Sequence, residues 1–224
     1  MENVELKVPT EQDYNKAEEL FELYQNGAEN KYEELIAKFD WEPIVFEENG
    51  LKGLKTAYDK VLIPAMVDEF YILSRSFHRF ADKLTVVIDN KYGIIETDGS
   101  GDWIVEPEYD YIGFPNIITH VKKGDKWGLL NIRDNKLVVS LDYDSMSNNN
   151  GFFFLNGIGV LVKGDKIAIA MEKGDVSKAI FDEIEQPVEG EVKVKMNGEW
   201  GYINEEGGFT SNIDDAYYFG GVDL

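Results

Sequence analysis

Residues 192–204 read VKVKMNGEWGYIN, and the reading of this stretch decides the fold. Val192 and Val194 alternate with Lys193 and Lys195, the period-two pattern of a strand with one face turned inward. Asn197-Gly198 interrupts the pattern, and a second alternating run follows. Asn-Gly between two such runs is the strongest short-range hairpin signal, because both central residues of a type I′ turn need positive φ.

The same template recurs upstream. It is found as VLVKGDKIAIAM at 160–171, THVKKGDKWGLLNI at 119–132, TVVIDNKYGIIE at 85–96 and IVFEENGLKGLK at 44–55. The turns begin at Asn49, Asp89, Gly124, Gly164 and Asn197, at intervals of 40, 35, 40 and 33 residues. Three residues into each stands an aromatic-glycine pair or a decayed form of it: Lys52-Gly53, Tyr92-Gly93, Trp127-Gly128, Ile167-Ala168 and Trp200-Gly201. A second landmark trails each pair by 13 to 17 residues, with its acid at Asp68, Asp110, Asp144, Asp182 and Asp214. Ile63-Pro64 and Glu106-Pro107 precede the first two of these. Two landmarks in phase define five repeats, at 42–81, 82–117, 118–156, 157–190 and 191–219.

A hairpin turn, a Lys-Trp-Gly or Glu-Trp-Gly, a second turn and a Tyr-Asp-x-Ile tail together resemble the WG-repeat family of bacterial proteins over residues 42–219. The likeness is good in repeats two, three and five; repeat one has Lys52 for the aromatic and repeat four has Ile167-Ala168. The resemblance implies a β-rich repeat module and brings no catalytic residues with it.

Physical chemistry predicts the same architecture. One such unit cannot bury its apolar face alone, so neighbours must stack. The expected fold is mainly β, five hairpin-based repeats in a compact propeller-like or solenoid array. Tyr92, Trp127 and Trp200 are expected to pack between layers, beside glycines that let a neighbour approach. Asp110, Asp144, Asp182 and Asp214 are expected to accept backbone hydrogen bonds at strand-to-loop corners, as Asx turns do.

The first 41 residues differ in texture and form an appendage to the five-repeat domain at 42–224. Val4, Leu6 and Val8 alternate as far as Pro9, a short strand that would complete the final repeat. Thr10 caps a helix whose stripe is Tyr14, Ala17, Leu20, Phe21 and Tyr24, ended by Gly27. Asn30 and Glu33 have capping-box spacing ahead of Tyr32, Leu35, Ile36 and Phe39, giving an αα-hairpin. Its outer face is acidic through Glu11, Asp13, Glu18, Glu19 and Glu22.

Composition narrows the function. The 224 residues carry 43 acids against 22 cations, a net charge of −21, and only three of the cations are arginines. That field repels phosphate, so a nucleic-acid partner is not expected. Zero cysteines remove disulfides, thiolate catalysis and zinc-thiolate sites. No apolar run approaches the span of a membrane helix and the N-terminus lacks a signal-peptide layout, so a cytoplasmic protein without a membrane partner is expected.

Candidate chemistry is thin. His78 and His120 have no metal-like spacing, and His120 in a predicted strand reads as structural. Asp98-Gly99-Ser100-Gly101-Asp102-Trp103 fails the EF-hand spacing, because Trp103 occupies the glycine position and Tyr109 the bidentate-glutamate position. No catalytic residue, metal or cofactor is assigned. Two segments break the repeat rhythm, the basic-aromatic Ser74–Phe80 and the Asn148–Asn156 stretch with its run Phe152–Leu155.

The expected function is therefore a non-enzymatic acidic binding protein, a monomer when free, that captures a basic protein. Its concrete form is an immunity protein that occludes a nuclease-like toxin domain. The alternative is a repeat scaffold or a glycan or small-ligand module. The expected docking face bears the second-turn loops, with Asp98, Asp102, Glu172, Asp175, Glu205 and Glu206, acids without evident packing duty.

Overall fold

The computed structural model describes residues 6–25, 31–36, 38–71, 82–146, 158–171, 176–177, 180–185, 192–204 and 206–216. These residues form two α-helices, eighteen short strands and one 3-10 turn, a mainly β protein.

Helix α1 (Glu11–Gln25) starts at Thr10 as expected. The Asp13 amide donates to Thr10 Oγ1 at 3.4 Å, and the Thr10 amide donates back to the Asp13 carboxylate at 2.9 Å. These reciprocal bonds make a capping box with aspartate as the acid, so Asp13 caps rather than merely decorates the outer face. Helix α2 (Lys31–Ile36) follows, and the Asn30 half of its predicted capping box lies outside the described residues. Tyr14 and Ala17 bury against Trp41, with Leu35, Ile36, Phe39 and Tyr58 around them. The Tyr14 ring meets Trp41 and Tyr58 edge-on, each at 4.9 Å. The appendage thus rests on the second turn of repeat one, where Tyr58 sits.

The predicted N-terminal strand is reduced to one parallel bridge, Lys7 to Phe39, with the Asp40 amide donating to the Lys7 carbonyl at 2.8 Å. Leu6 and Val8 stay exposed. Among the described residues, this segment pairs with its own helical hairpin. Pro9 lacks the N–H that would continue a ladder, which limits the pairing to that bridge.

The repeat region forms five antiparallel sheets. The first holds β1 (Ile44–Glu48), β2 (Leu51–Lys55) and β3 (Val61–Val67). The second holds β4 (Glu69–Phe70), β5 (Lys83–Ile88), β6 (Lys91–Glu96) and β7 (Trp103–Tyr109). The third holds β8 (Tyr111–Ile112), β9 (Ile118–Lys123), β10 (Lys126–Asn131) and β11 (Lys136–Tyr143). The fourth holds β12 (Ser145–Met146), β13 (Ile158–Lys163) and β14 (Lys166–Met171). The fifth holds β15 (Glu183–Ile184), β16 (Lys193–Met196), β17 (Glu199–Ile203) and β18 (Phe209–Thr210).

The sheets are offset from the sequence repeats. Each repeat's tail supplies a two-residue strand to the next repeat's sheet: β4 pairs with β5, β8 with β9, β12 with β13 and β15 with β16. The first sheet receives no such strand from a preceding repeat.

The hairpin turns divide by sequence. Asn49-Gly50, Asp89-Asn90 and Asn197-Gly198 hold both central residues at positive φ, the type I′ geometry. Gly124 and Gly164 have positive φ while Asp125 and Asp165 do not, the type II′ pattern that needs glycine first.

Residues 1–107 and 108–224 form two compact units. Within the first, Leu54, Ile63 and Val67 of sheet one pack on Leu84, Val86 and Ile95 of sheet two. Within the second, Leu129 and Val139 of sheet three pack on Leu161 and Ala168 of sheet four. Ile169 of sheet four then packs on Val194 and Ile203 of sheet five. Cross-strand neighbours define the two faces of each sheet, and the stacking has one polarity. The face of sheet four carrying Val160, Ile167 and Ile169 meets sheet five. The equivalent face of sheet five carries Lys193, Lys195, Trp200 and Tyr202. That face thus carries two lysines beside a tryptophan that is 38% exposed.

Candidate interaction surface

The periodic acids lie where the chain leaves one sheet for the next. Asp68, Asp110 and Asp144 are each the single residue between a return strand and a linker strand. Each donates its own amide to the first strand of the next hairpin: Asp68 to Val87, Asp110 to Lys122 and Asp144 to Val162, with Asp182 to Lys195 in the fourth repeat. Each of the first three also accepts, on its carboxylate, the amide of the first residue of the next turn. Asp89 donates to Asp68 at 2.7 Å, Gly124 to Asp110 at 2.6 Å and Gly164 to Asp144 at 2.7 Å.

The expected backbone hydrogen bonds are present at these corners, but their donors belong to the next repeat's turn and not to a local Asx turn. The acid clamps the following repeat's hairpin, because a one-residue crossing leaves its side chain beside that hairpin and not beside its own loop. Asp214 departs from the pattern: it lies exposed in a 3-10 turn (Ile213–Asp215) with its amide on Asn212.

Sequence reasoning missed the partner of the other carboxylate oxygen. Lys126 donates to Asp144 and Lys166 to Asp182, each at 2.5 Å. In both cases the lysine is the first residue after its own repeat's turn, a recurrence visible in the quoted sequences. Lys126 first, and then the Gly164 amide, hold the Asp144 carboxyl below its usual range. Lys166 does the same for Asp182 and is itself held charged to higher pH.

The aromatic-glycine pair divides its labour differently from expectation. The glycine is the buried half. A Cβ on Gly128 would lie 2.6 Å from the Val139 carbonyl oxygen, and one on Gly201 would lie 2.4 Å from that of Thr210. At Gly53 and Gly128 the return strand shifts register, and that bulge brings its backbone over the glycine. In repeat four, where Ala168 replaces the glycine, the described residues meet β14 through isolated bridges from Phe181 and Val176.

The aromatics sit on the opposite face of the strand; Tyr92 and Trp127 are half-buried and Trp200 is exposed. Trp200 is 38% exposed, with Lys193 and Lys195 each 5.6 Å from its ring. Trp127 lies edge-on to Tyr111 at 5.5 Å, stacks on His120 at 6.0 Å and has Lys122 at 5.5 Å. Tyr92 meets Tyr71 edge-on at 5.2 Å. Strand alternation puts the aromatic and the glycine on opposite faces, and what covers the aromatic face differs between repeats: Ile167, at the aromatic position of repeat four, packs on sheet five, while Trp200 shares its face with Lys193 and Lys195.

His120 is buried, its ring over Gly113 and between Tyr111 and Trp127. Desolvation pushes its pKa down to about 4, so it is neutral at pH 7, the structural histidine expected from its strand position.

Of the six acids expected to form the docking face, Glu172, Asp175 and Glu205 lie outside the described residues. Asp98 and Asp102 are exposed and bracket one turn; Glu206 is exposed in the matching turn of repeat five. Asp98 has more packing duty than expected. Its carboxylate accepts the Ser100 amide at 2.8 Å, and Ser100 holds its pKa down. The Gly99 amide ties the loop to the Leu62 carbonyl of β3 at 2.9 Å, so this acidic loop is held to the sheet.

Cations cluster elsewhere. Lys123 pairs with Glu108, Lys126 with Asp144, Lys163 with Asp142, Lys166 with Asp182 and Lys195 with Glu183, all across strands near the first turns. Among the described residues, no lysine or arginine pairs with Asp98 or Asp102. Nor is any helix among them long and apolar enough to cross a membrane.

The arrangement is that of a β-hairpin repeat protein. Residues 92–127, from one aromatic-glycine position to the next, match the family model described as WG containing repeat. No curated protein matches the chain. Among solved structures, a chain from the S. cerevisiae complex of dbp5 with nup159, gle1, IP6 and ADP aligns at 10% identity and a TM-score of 0.28. The alignment covers 55% of this chain and 40% of that one, so this chain spans well under half the other's length, and the overlap is too loose to define a common fold.

Proposed function

We propose that this WG-repeat protein is a non-enzymatic binding protein of the cytoplasm whose target is a basic protein, in its most concrete form a toxin domain neutralised by an immunity protein. The observation that carries the reading is charge segregation. The repeat lysines are engaged in cross-strand pairs near the first turns, while the second-turn acids Asp98 and Asp102 are exposed and, among the described residues, form no ion pair. With a net charge of −21 behind them, such acids raise the encounter rate with a cationic surface by about one to three orders of magnitude at low salt.

The test begins with capture of a partner from the native host at low and high salt, followed by association kinetics. Neutralising Asp98, Asp102, Glu172, Asp175, Glu205 and Glu206 together should slow association severalfold and flatten its salt dependence. Dissociation should change far less. Wild-type association by the sixfold variant across the salt range would remove this surface from the reading.

The half-exposed Trp200, flanked by two lysines, favours a second reading, a scaffold or small-ligand module. Salt-insensitive capture lost in Trp200→Ala would select it.

A further inference from the structure

The first and last hairpins turn on the same dipeptide in the same geometry. Asn49 and Asn197 both have φ 54°, and Gly50 and Gly198 have φ 82° and 86°. All four residues are exposed, and a Cβ built on either glycine would meet nothing within 4 Å. Asparagine is a thermolabile residue, the more so before glycine, whose lack of a Cβ lets its amide nitrogen approach the asparagine side chain. The glycine nitrogen loses its proton, attacks the asparagine Cγ and expels ammonia, which closes a five-membered succinimide. Water then opens that ring to aspartate or isoaspartate.

The folded turn blocks this step. Ring closure needs the glycine nitrogen and the asparagine Cβ eclipsed about the Cα–C bond, and the left-handed conformation sets them nearly opposite. Reaction therefore waits for the turn to open, and its rate follows the population of the open hairpin.

What holds the two turns shut differs. In the last hairpin, β16 lies between β15 and β17, and its Val194 is buried. Asp182 sits at the corner ahead of it and donates its amide to the Lys195 carbonyl at 2.7 Å. The Asn197 and Gly198 amides, with Lys166 the largest cause, hold the Asp182 carboxyl below its usual range, so these turn amides face the carboxylate. The first hairpin has neither support. β1 is an outer strand that pairs, among the described residues, with β2 alone, and Ile44 and Val45 are 44% and 42% exposed. Sheet one receives no linker strand from a preceding repeat, and it is the linker corner that supplies the clamping acid to the later turns.

We propose that Asn49 is a site of spontaneous deamidation, modified well ahead of Asn197, and that Asp182 shields Asn197 by holding its turn closed. The aspartate product adds one negative charge at the tip of the first hairpin. The isoaspartate product also lengthens the backbone there, which breaks the register of a two-residue turn.

Peptide mapping by mass spectrometry, on chain aged at mildly alkaline pH, measures each site separately. Three further Asn-Gly pairs, at 26–27, 150–151 and 156–157, lie outside the described residues and fall in peptides of their own. In the folded protein Asn49 should react at least about tenfold faster than Asn197. In denaturant the two should react alike, because each is followed by glycine and no turn remains. Asp182→Ala should speed the reaction at Asn197 severalfold and leave Asn49 unchanged. The comparison of folded and denatured wild type stands even where that variant fails to fold. Equal rates at Asn49 and Asn197 in the folded chain, the same imbalance persisting in denaturant, or an unchanged Asn197 rate in a folded Asp182→Ala variant would overturn the proposal.

Discussion

The Asp144 carboxylate accepts the Gly164 amide at 2.7 Å, twenty residues further along the chain, while Lys126 of its own repeat holds its other oxygen. One side chain thus ties the hairpin behind it to the turn ahead. The equivalent bonds from Asp68 to Asp89 and from Asp110 to Gly124 make this the rule by which neighbouring repeats are joined.

Asp144→Ala should therefore lower the melting temperature and speed amide exchange at Gly164, with Gly124, clamped by Asp110, as an internal control. The pH response follows in sign. The Asp144 pKa is lowered in the folded chain, so its contribution is present above the ordinary carboxylate value of 3.8 and is lost as pH falls below it. The variant should lose less stability than the wild type over that acid range. Equal exchange at Gly164 in both proteins would refute the clamp.

His120 gives acid sensitivity in a higher window. Its folded pKa is about 4 against an ordinary 6.5, so the unfolded chain takes up a proton that the folded chain refuses. No effect arises above pH 6.5. Stability falls between there and pH 4, by about 3 kcal/mol at the lower end. Denaturant melts of His120→Phe, which keeps a flat ring, should show a shallower slope in that window.

The glycine positions should respond unequally. Gly128→Ala sets a methyl 2.6 Å from a backbone oxygen and should cost about 1–3 kcal/mol. Ala168→Gly in repeat four removes a buried methyl and should cost about 1 kcal/mol through strand flexibility and lost contact. Chemical denaturation of the two variants checks the order.

The aromatics should rank by burial. Trp200→Ala should cost about 1 kcal/mol, because the ring is 38% exposed and held mainly by two lysines. Trp127→Ala, which strips a partner from both Tyr111 and His120, should cost about 2–3 kcal/mol. Equal losses near 4 kcal/mol would restore the interlayer role first expected of both.

The hairpins were legible because a two-residue turn is a local event. Asn197-Gly198 needs only its own positive φ values, and Val194 and Gly201 mark the inward face by alternation alone. The recurrent acids were legible as corner residues for the same reason: phase is a property of the chain. What Asp144 grips was not legible, since Gly164 lies in another repeat and is brought near only when β12 crosses to pair with β13. The exposure of Trp200 was hidden because an aromatic-glycine pair does not say which member faces the core. Packing decided that, through the return strand that passes over Gly201. The sequence by itself determined five hairpins, their turns and an acidic surface, each a matter of local conformation or composition. The tertiary structure alone decided how tails are exchanged between sheets and which acids are engaged by lysines, because those depend on contacts between residues distant in the chain.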